Sequence, residues 1–218
     1  MKLRVFTLRV LTDAPIDASA AQLRGFFATK FNDYQLLHHH SADKLIYDYP
    51  RVQYKVIDGQ HLVLGIDEGV EVLKEIYDQY ESLRLGSMTY NVIGQEFGVK
   101  QCELSVSDEY CVYAFKTPWL ALNQANYQKF YACKNRMERL ELLSRTLIGN
   151  LLSMSKSFGY AVPQRIEAVV DVNAAKTHLK GVSVMAFHGR FTTNFEIPEL
   201  LGIGKSVSRG YGAVQKCN

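Results

Sequence analysis

No stretch of this 218-residue chain strings together the roughly 18 apolar side chains that a membrane-spanning helix needs, so a helical membrane protein is excluded. Met1-Lys-Leu-Arg-Val runs directly into strand-like alternation and not into the apolar core of a signal peptide; a soluble, cytoplasmic protein is expected. Cysteine is scarce. The four thiols, at 102, 111, 133 and 217, show neither C-x-x-C spacing nor histidines at zinc-finger intervals, which argues against a structural zinc or a disulfide framework and for a reducing compartment. A Walker loop is also missing. Gly204-Lys205-Ser206 fits the second half of G-x-x-x-x-G-K-[ST], but Glu199 stands where the first glycine is required, and too few residues follow to supply the loop's helix and its carboxylate-bearing strand.

Acidic side chains are lacking in one half only. The overall charge of +3 conceals 11 basic against 15 acidic residues up to Asp108, net −4, and 14 against 7 beyond it, net +7. A basic second half points to a polyanion, with nucleic acid the usual partner, or else to an ordinary soluble surface. No low-complexity linker separates the halves, and the step in charge suggests two domains of about 100 residues, 1–108 and 109–218, packed closely.

Pattern then supplies the elements. Lys2–Leu11 alternates as a first strand; Asp17 or Ser19 caps a helix with Leu23, Phe26, Phe27 and Phe31 on its apolar face. Leu45–Val56 and His61–Ile66 read as extended, with Asp58-Gly59 as a hairpin turn. Val70, Leu73, Ile76, Tyr80 and Leu83 predict a helix opened by Asp67-Glu68 and closed by Gly86, before extended chain from Met88 to Val106. The first half is thus β-α-β-β-α-β, the ferredoxin-like order. The second half starts with a strand, Tyr110–Leu120, and a single long helix over about Gln124–Phe158 whose polar face carries Lys134, Arg136, Arg139 and Arg145. Arg165–Val172 and Gly181–Thr193 follow as a hairpin flanking a Lys176–Gly181 turn. The expected fold is α+β, two tandem ferredoxin-like (RRM-like) units, the second modified by a basic β-hairpin and a C-terminal glycine-rich loop.

Three groups of residues offer chemistry. Leu200-Leu-Gly-Ile-Gly-Lys-Ser-Val-Ser-Arg-Gly-Tyr-Gly212 sets four glycines beside Lys205, Ser206 and Arg209, which suits either close approach to a phosphodiester backbone or an ordinary tight turn with solvated cations. His38-His39-His40 follows the first helix; in extended chain His38 and His40 share a face and titrate near neutrality, as a general base and acid would, with a metal site or a structural cluster as the alternatives. On the next strand Arg51, Gln53 and Lys55 share a face that would bind phosphate or stabilise a phosphorane, or would simply be solvated. Tyr47, Tyr49 and Tyr54 lie near enough in sequence to stack on bases, whereas Cys102 and the Asp67-Glu68 pair have no partner at catalytic spacing.

Taken together, Tyr49-Pro-Arg-Val-Gln-Tyr-Lys55 after a histidine cluster, tandem ferredoxin-like halves, and Pro198-Glu-Leu-Leu201 leading into Gly202–Gly212 resemble the CRISPR-associated endoribonucleases of the sixth Cas family, of the RAMP superfamily, and most closely its short subtype b branch. The resemblance spans the whole chain. It implies cofactor-free, metal-independent cleavage of CRISPR repeat RNA, in which a 2′-hydroxyl attacks the adjacent phosphate and leaves 2′,3′-cyclic phosphate and 5′-hydroxyl ends. It places the base on His38 or His40 with the other as acid, Lys55 at the phosphorane, and Tyr47 as a positioning group. Arg51, Lys176, Lys180, Arg190, Gly202, Gly204, Lys205, Ser206, Arg209, Gly210 and Gly212 would hold the RNA. Other Cas proteins of a type I effector complex and a second copy of the chain are implied partners, and a catalytically inactive RNA-binding subunit is the alternative reading. The loop here ends Gly-Tyr-Gly where the family more commonly has Gly-Phe-Gly.

Overall fold

The computed structural model describes residues 1–38 and 48–217, apart from the side chain of His38. The described chain divides into two compact units. One consists of Lys2–Cys102 joined by Val207–Gly210; the other holds Glu103–Ser206, Met1 and the chain from Tyr211 onward. The division thus falls after Cys102 and not after Asp108, and the short excursion of the glycine-rich segment into the first unit has no counterpart in the sequence pattern.

The first unit runs β1 (Lys2–Thr12), α1 (Ala20–Lys30), α2 (Gln35–His38), β2 (Val52–Ile57), β3 (Gln60–Ile66), α3 (Glu68–Ile76), β4 (Ser82–Leu85) and β5 (Met88–Glu103). Its sheet has the order β2-β3-β1-β5-β4, the ferredoxin arrangement with β4 added at the edge. Ser19 starts α1 through a reciprocal capping box with Gln22. Asp58 and Gly59, at φ 50° and 76°, make the two-residue turn between β2 and β3, and the register Ile57↔Gln60 follows from it. Phe6, Leu8 and Val10 of β1 meet Leu23 and Phe27 of α1 and Val70, Leu73 and Ile76 of α3 in one buried cluster. The helix expected to reach Gly86 stops at Ile76. Tyr80 and Leu83 keep helical spacing but are buried from a turn and from β4, where Leu83 and Leu85 point in and Ser82 and Arg84 point out.

The second unit runs β6 (Ser105–Phe115), α4 (Gln124–Ala132), α5 (Arg136–Ser157), β7 (Ala168–Leu179), β8 (Val182–Glu196) and β9 (Val214–Lys216), in the order β7-β8-β6-β9. This is the same ferredoxin order with the second helix gone. In its place the chain between Glu196 and Val214 forms only a 3-10 turn, Val207–Arg209. The long helix expected over 124–158 is broken at Cys133-Lys134-Asn135. The Asn135 carboxamide oxygen accepts the Glu138 N–H at 3.0 Å while the Glu138 carboxylate accepts the Lys134 N–H at 2.8 Å, so α5 begins afresh. The hairpin turn, expected over Lys176–Gly181, is confined to Lys180 and Gly181 at φ 52° and 78°, and the strands pair without interruption from Ala168↔Thr193 to Leu179↔Val182. Tyr113, Phe115, Trp119, Phe187 and Phe191 form an aromatic core, Leu143, Leu147 and Leu151 of α5 are buried, and Trp119 Nε1 donates to Asn150 Oδ1 of α5 at 3.3 Å.

Candidate nucleic-acid interface

The histidine run is tethered at its start. After α1, Phe31 accepts the Tyr34 N–H and Tyr34 accepts the Leu37 N–H, the Tyr34 hydroxyl donates to Glu75 at 2.9 Å, and Leu37 is buried in the core of the first unit. His38 therefore belongs to helix α2 (Gln35–His38), and the two-residue alternation of an extended chain does not apply at His38. The His38 side chain and residues His39, His40 and Tyr47 lie outside the described residues. His61 is not near-surface chemistry: it is buried, with Nε2 2.6 Å from the carbonyl oxygen of Ala18, and it ties down the loop ahead of α1.

Arg51, Gln53 and Lys55 do alternate onto one face, but that face is closed to solvent rather than open. Gln53 and Lys55 are each 0% exposed, and Arg51, 14% exposed, forms an ion pair through Nε with Glu68 Oε2 at 3.2 Å. The strand β2 is buried on its other face as well, where the Tyr54 ring packs on Phe27 at 5.7 Å between centroids. Tyr54 is thus a core residue, and burial pushes its phenol far up. Lys55 spends its ammonium on the glycine segment, donating from Nζ to the Val207 carbonyl oxygen at 3.2 Å. Burial alone lowers this lysine to about 7. The sequence could not show this, because a lysine beneath a covering turn has the same spacing as one on a solvated strand face.

The glycine segment is a pair of backbone-bonded legs. Leu200 N–H donates to Val214 O at 2.8 Å, Val214 N–H to Leu201 O at 3.1 Å and Ile203 N–H to Gly212 O at 2.8 Å, with Gly202 bridging Ala213. The Thr117-Pro-Trp-Leu120 strip receives both legs: Gly212 N–H donates to Pro118 O at 2.9 Å, Lys205 N–H to Leu120 O at 3.1 Å, and Ala213 N–H to Thr117 Oγ1 at 2.8 Å. Gly212, at φ 66°, would carry a Cβ only 2.0 Å from Ile203 O, so no other residue fits there. Lys205 is likewise engaged, its Nζ donating to Leu122 O at 2.9 Å while partial burial lowers its pKa. Most of what looked like an open anion cradle therefore binds the protein's own backbone. Ser206 and Arg209 remain partly exposed on the described surface.

Lys176 and Lys180 are exposed at the far end of the β7–β8 hairpin, and the Tyr211 hydroxyl of the glycine segment donates to the carbonyl oxygen of His178 between them. Lys176 lies on the face of the hairpin shared by Val170 and Val172, whereas Arg190 lies on the opposite face, in register with Asp171. The hairpin cations are thus split: two gather near Tyr211, one does not. The basic residues of α5 are used locally, Arg136 on Asp171 at 3.1 Å, Arg145 on Glu141 at 3.3 Å, and Arg139 over the Phe130 ring at 5.3 Å. Sequence reasoning missed Tyr211 as a link between loop and hairpin, although the Gly-Tyr-Gly departure flagged the position. It also missed Arg24, a lone arginine on α1 with no motif to mark it.

Comparison with known proteins assigns these two units. The Cas6b N-terminal domain model matches residues 1–103 and the Cas6b C-terminal domain model matches residues 105–217. The chain belongs to the Cas6b family. A solved structure described as that of Cas6b is similar to it at 34% identity and a TM-score of 0.90, over the full length of both chains. Another, of a CRISPR RNA processing endoribonuclease Cas6b, is similar at 31% identity and a TM-score of 0.80, again over all of both chains. An uncharacterized protein of Methanocaldococcus jannaschii is 36% identical over 141 residues, 64% of this chain and 95% of its own length. In this Cas6b chain the junction between the two family domains falls at Leu104, beside the structural division after Cys102.

Proposed function

We propose that this protein is an endoribonuclease that cleaves CRISPR repeat RNA into guide RNAs. The observation that carries the proposal is the tiling of the whole chain by the two Cas6b domains, with full-length likeness to a CRISPR RNA processing Cas6b structure. The chemistry is general acid and base catalysis without a metal. One of His38 and His40 removes the proton from a ribose 2′-hydroxyl, that oxygen attacks the adjacent phosphorus, and the P–O5′ bond breaks as the other histidine protonates the leaving 5′-oxygen. The products carry a 2′,3′-cyclic phosphate and a 5′-hydroxyl. Tyr47 positions the substrate in this scheme. Lys55, sealed beneath the 3-10 turn, acts by holding that turn through Val207 rather than by touching the phosphorane.

Repeat RNA would be held by exposed cations of each unit taken by itself, Lys176 and Lys180 on the hairpin of the second and Arg209 on the turn of the first. Their contacts are phosphate contacts, which set affinity and its salt dependence. Lys205, Gly202, Gly204, Gly210 and Gly212 serve RNA binding indirectly, by building the glycine segment. In the cell we place the protein in the cytoplasm, in company with its repeat RNA and other Cas proteins.

The test is incubation of purified protein with end-labelled repeat RNA in excess EDTA, beside a copy lacking the 2′-hydroxyl at the cleavage site, and beside the double variant His38→Ala, His40→Ala. Cleavage of the first RNA only, and loss of cleavage by orders of magnitude in the variant with RNA affinity nearly unchanged, is the expected outcome. Binding of both RNAs with cleavage of neither would leave an RNA-holding subunit. Full activity in the double variant refutes the histidine mechanism.

A further inference from the structure

Two arginines of the first unit are held together by the backbone around them. Gly210 seats on the start of α1, where a Cβ added to it would lie 2.7 Å from the Ala20 Cβ. Ala20 and Arg24 are four residues apart on α1 and so share a face of that helix. Arg209 immediately precedes Gly210 and emerges from the 3-10 turn beside that face, and Lys55 locks the turn from below through Val207 O at 3.2 Å. Arg24 and Arg209 are both partly exposed. The same geometry carries an electrostatic consequence: after burial, the charge of Arg209 is the next largest cause that lowers the Arg24 guanidinium.

Guanidinium groups keep their protons, so Arg24 and Arg209 carry like charges, and the charge of Arg209 acts on Arg24. An oxyanion with oxygens for both groups would turn that repulsion into attraction, and the planar forks of arginine match phosphate geometry. We propose that Arg24 and Arg209 form a two-arginine site for a single phosphodiester of the bound RNA, with Arg24 as a ligand that neither the glycine motif nor the hairpin charge pattern contains. The site rests on the reading of the chain as an RNA-binding Cas6b protein. It differs from the hairpin cations in its footing: backbone seating at Gly210 and the Lys55 clasp on Val207 fix the main chain from which Arg209 departs beside α1.

The full-length wild type, Arg209→Gln and Arg24→Gln are compared in two assays. In thermal unfolding without RNA, inorganic phosphate at ionic strength matched with chloride stabilises the wild type and fails to stabilise either variant. In binding of repeat RNA lacking the 2′-hydroxyl at the cleavage site, each variant weakens affinity on the order of tenfold and reduces the slope of log affinity against log salt by about 0.7 to 0.9. If Arg24→Gln misfolds, Arg209→Gln alone decides, since its side chain sits on a turn. Phosphate stabilising the wild type and Arg209→Gln equally overturns the site. A phosphate response lost in the variants with RNA affinity and slope unchanged marks an inorganic anion site and overturns the RNA assignment. A wild type that binds no RNA refutes the proposed function, and the phosphate response still reports separately on whether the two arginines bind an oxyanion.

Discussion

Replacing Lys55 by methionine keeps most of the side-chain volume but removes the buried amino group that holds the 3-10 turn. Lys55 is lowered from 10.5 to about 7 by burial. A depression of that size corresponds to about 5 kcal/mol of penalty on the charged form, offset in part by the bond to Val207 O. The sign follows from proton counting. Below about pH 7 the lysine is protonated in both folded and unfolded chains and its contribution to stability does not change with pH. Between about 7 and 10.5 the unfolded chain keeps the proton while the folded chain has released it, so stability rises with pH. Wild type should therefore gain on Lys55→Met by about 2 kcal/mol between pH 7 and pH 9, with a flat difference below about pH 6. Urea unfolding followed by circular dichroism at closely spaced pH values measures this directly, because all other titrating groups are common to both proteins and cancel in the difference. Parallel stability curves across that range, or a gap that opens toward low pH, refute a lysine lowered to about 7 in the folded chain.

Two further substitutions test the glycine segment. Gly212→Ala forces a Cβ into Ile203 O at 2.0 Å with φ at 66°, and should cost on the order of 3 kcal/mol, read as a lowered urea midpoint; an unchanged midpoint would mean that the legs 200–203 and 212–214 part easily. Tyr211→Phe removes the hydroxyl bond to His178 O and should cost about 1 kcal/mol locally. Faster hydrogen exchange confined to the hairpin end around Lys180 is the expected readout, and unaltered exchange there would show that the hairpin is held by its own strand pairing.

The elements legible in the sequence were those with a local chemical signature. Ser19 with Gln22 is a capping box wherever it occurs, and Asp58-Gly59 has the left-handed pair that a two-residue hairpin demands. The errors came where one spacing serves two structures. Tyr80 and Leu83 continue the helical period of α3 and yet belong to a turn and to β4; a stripe that seemed continuous over 124–158 spans a break that only the Asn135 and Glu138 side chains reveal. Of the site, exposure was the illegible part. Strand alternation correctly put Gln53 and Lys55 on one face, but what covers that face comes from residues about 150 positions away in sequence, the Lys55–Val207 bond being separated by 152.

The glycine-rich segment shows why motif and mechanism diverge here. Glycines beside Lys205, Ser206 and Arg209 read as amides held open for a phosphate, and yet the amides of Ile203, Lys205, Gly210 and Gly212 all donate to carbonyl oxygens of the chain itself. Glycine is needed at Gly210 and Gly212 because backbone must approach backbone or α1 closely, which allows the segment to serve one unit with its legs and the other with its turn. Close packing of this kind fixes the path of the main chain but binds nothing by itself. Affinity for a polyanion must then come from side chains that the path carries to the surface, and the turn carries Arg209 to Arg24 while the second leg carries Tyr211 to the hairpin. Glycine content thus determines where the cations stand, and the cations determine what is bound, so substitutions at the glycines should lower stability and RNA affinity together, while removing the Arg209 charge lowers affinity and relieves Arg24 of a like charge.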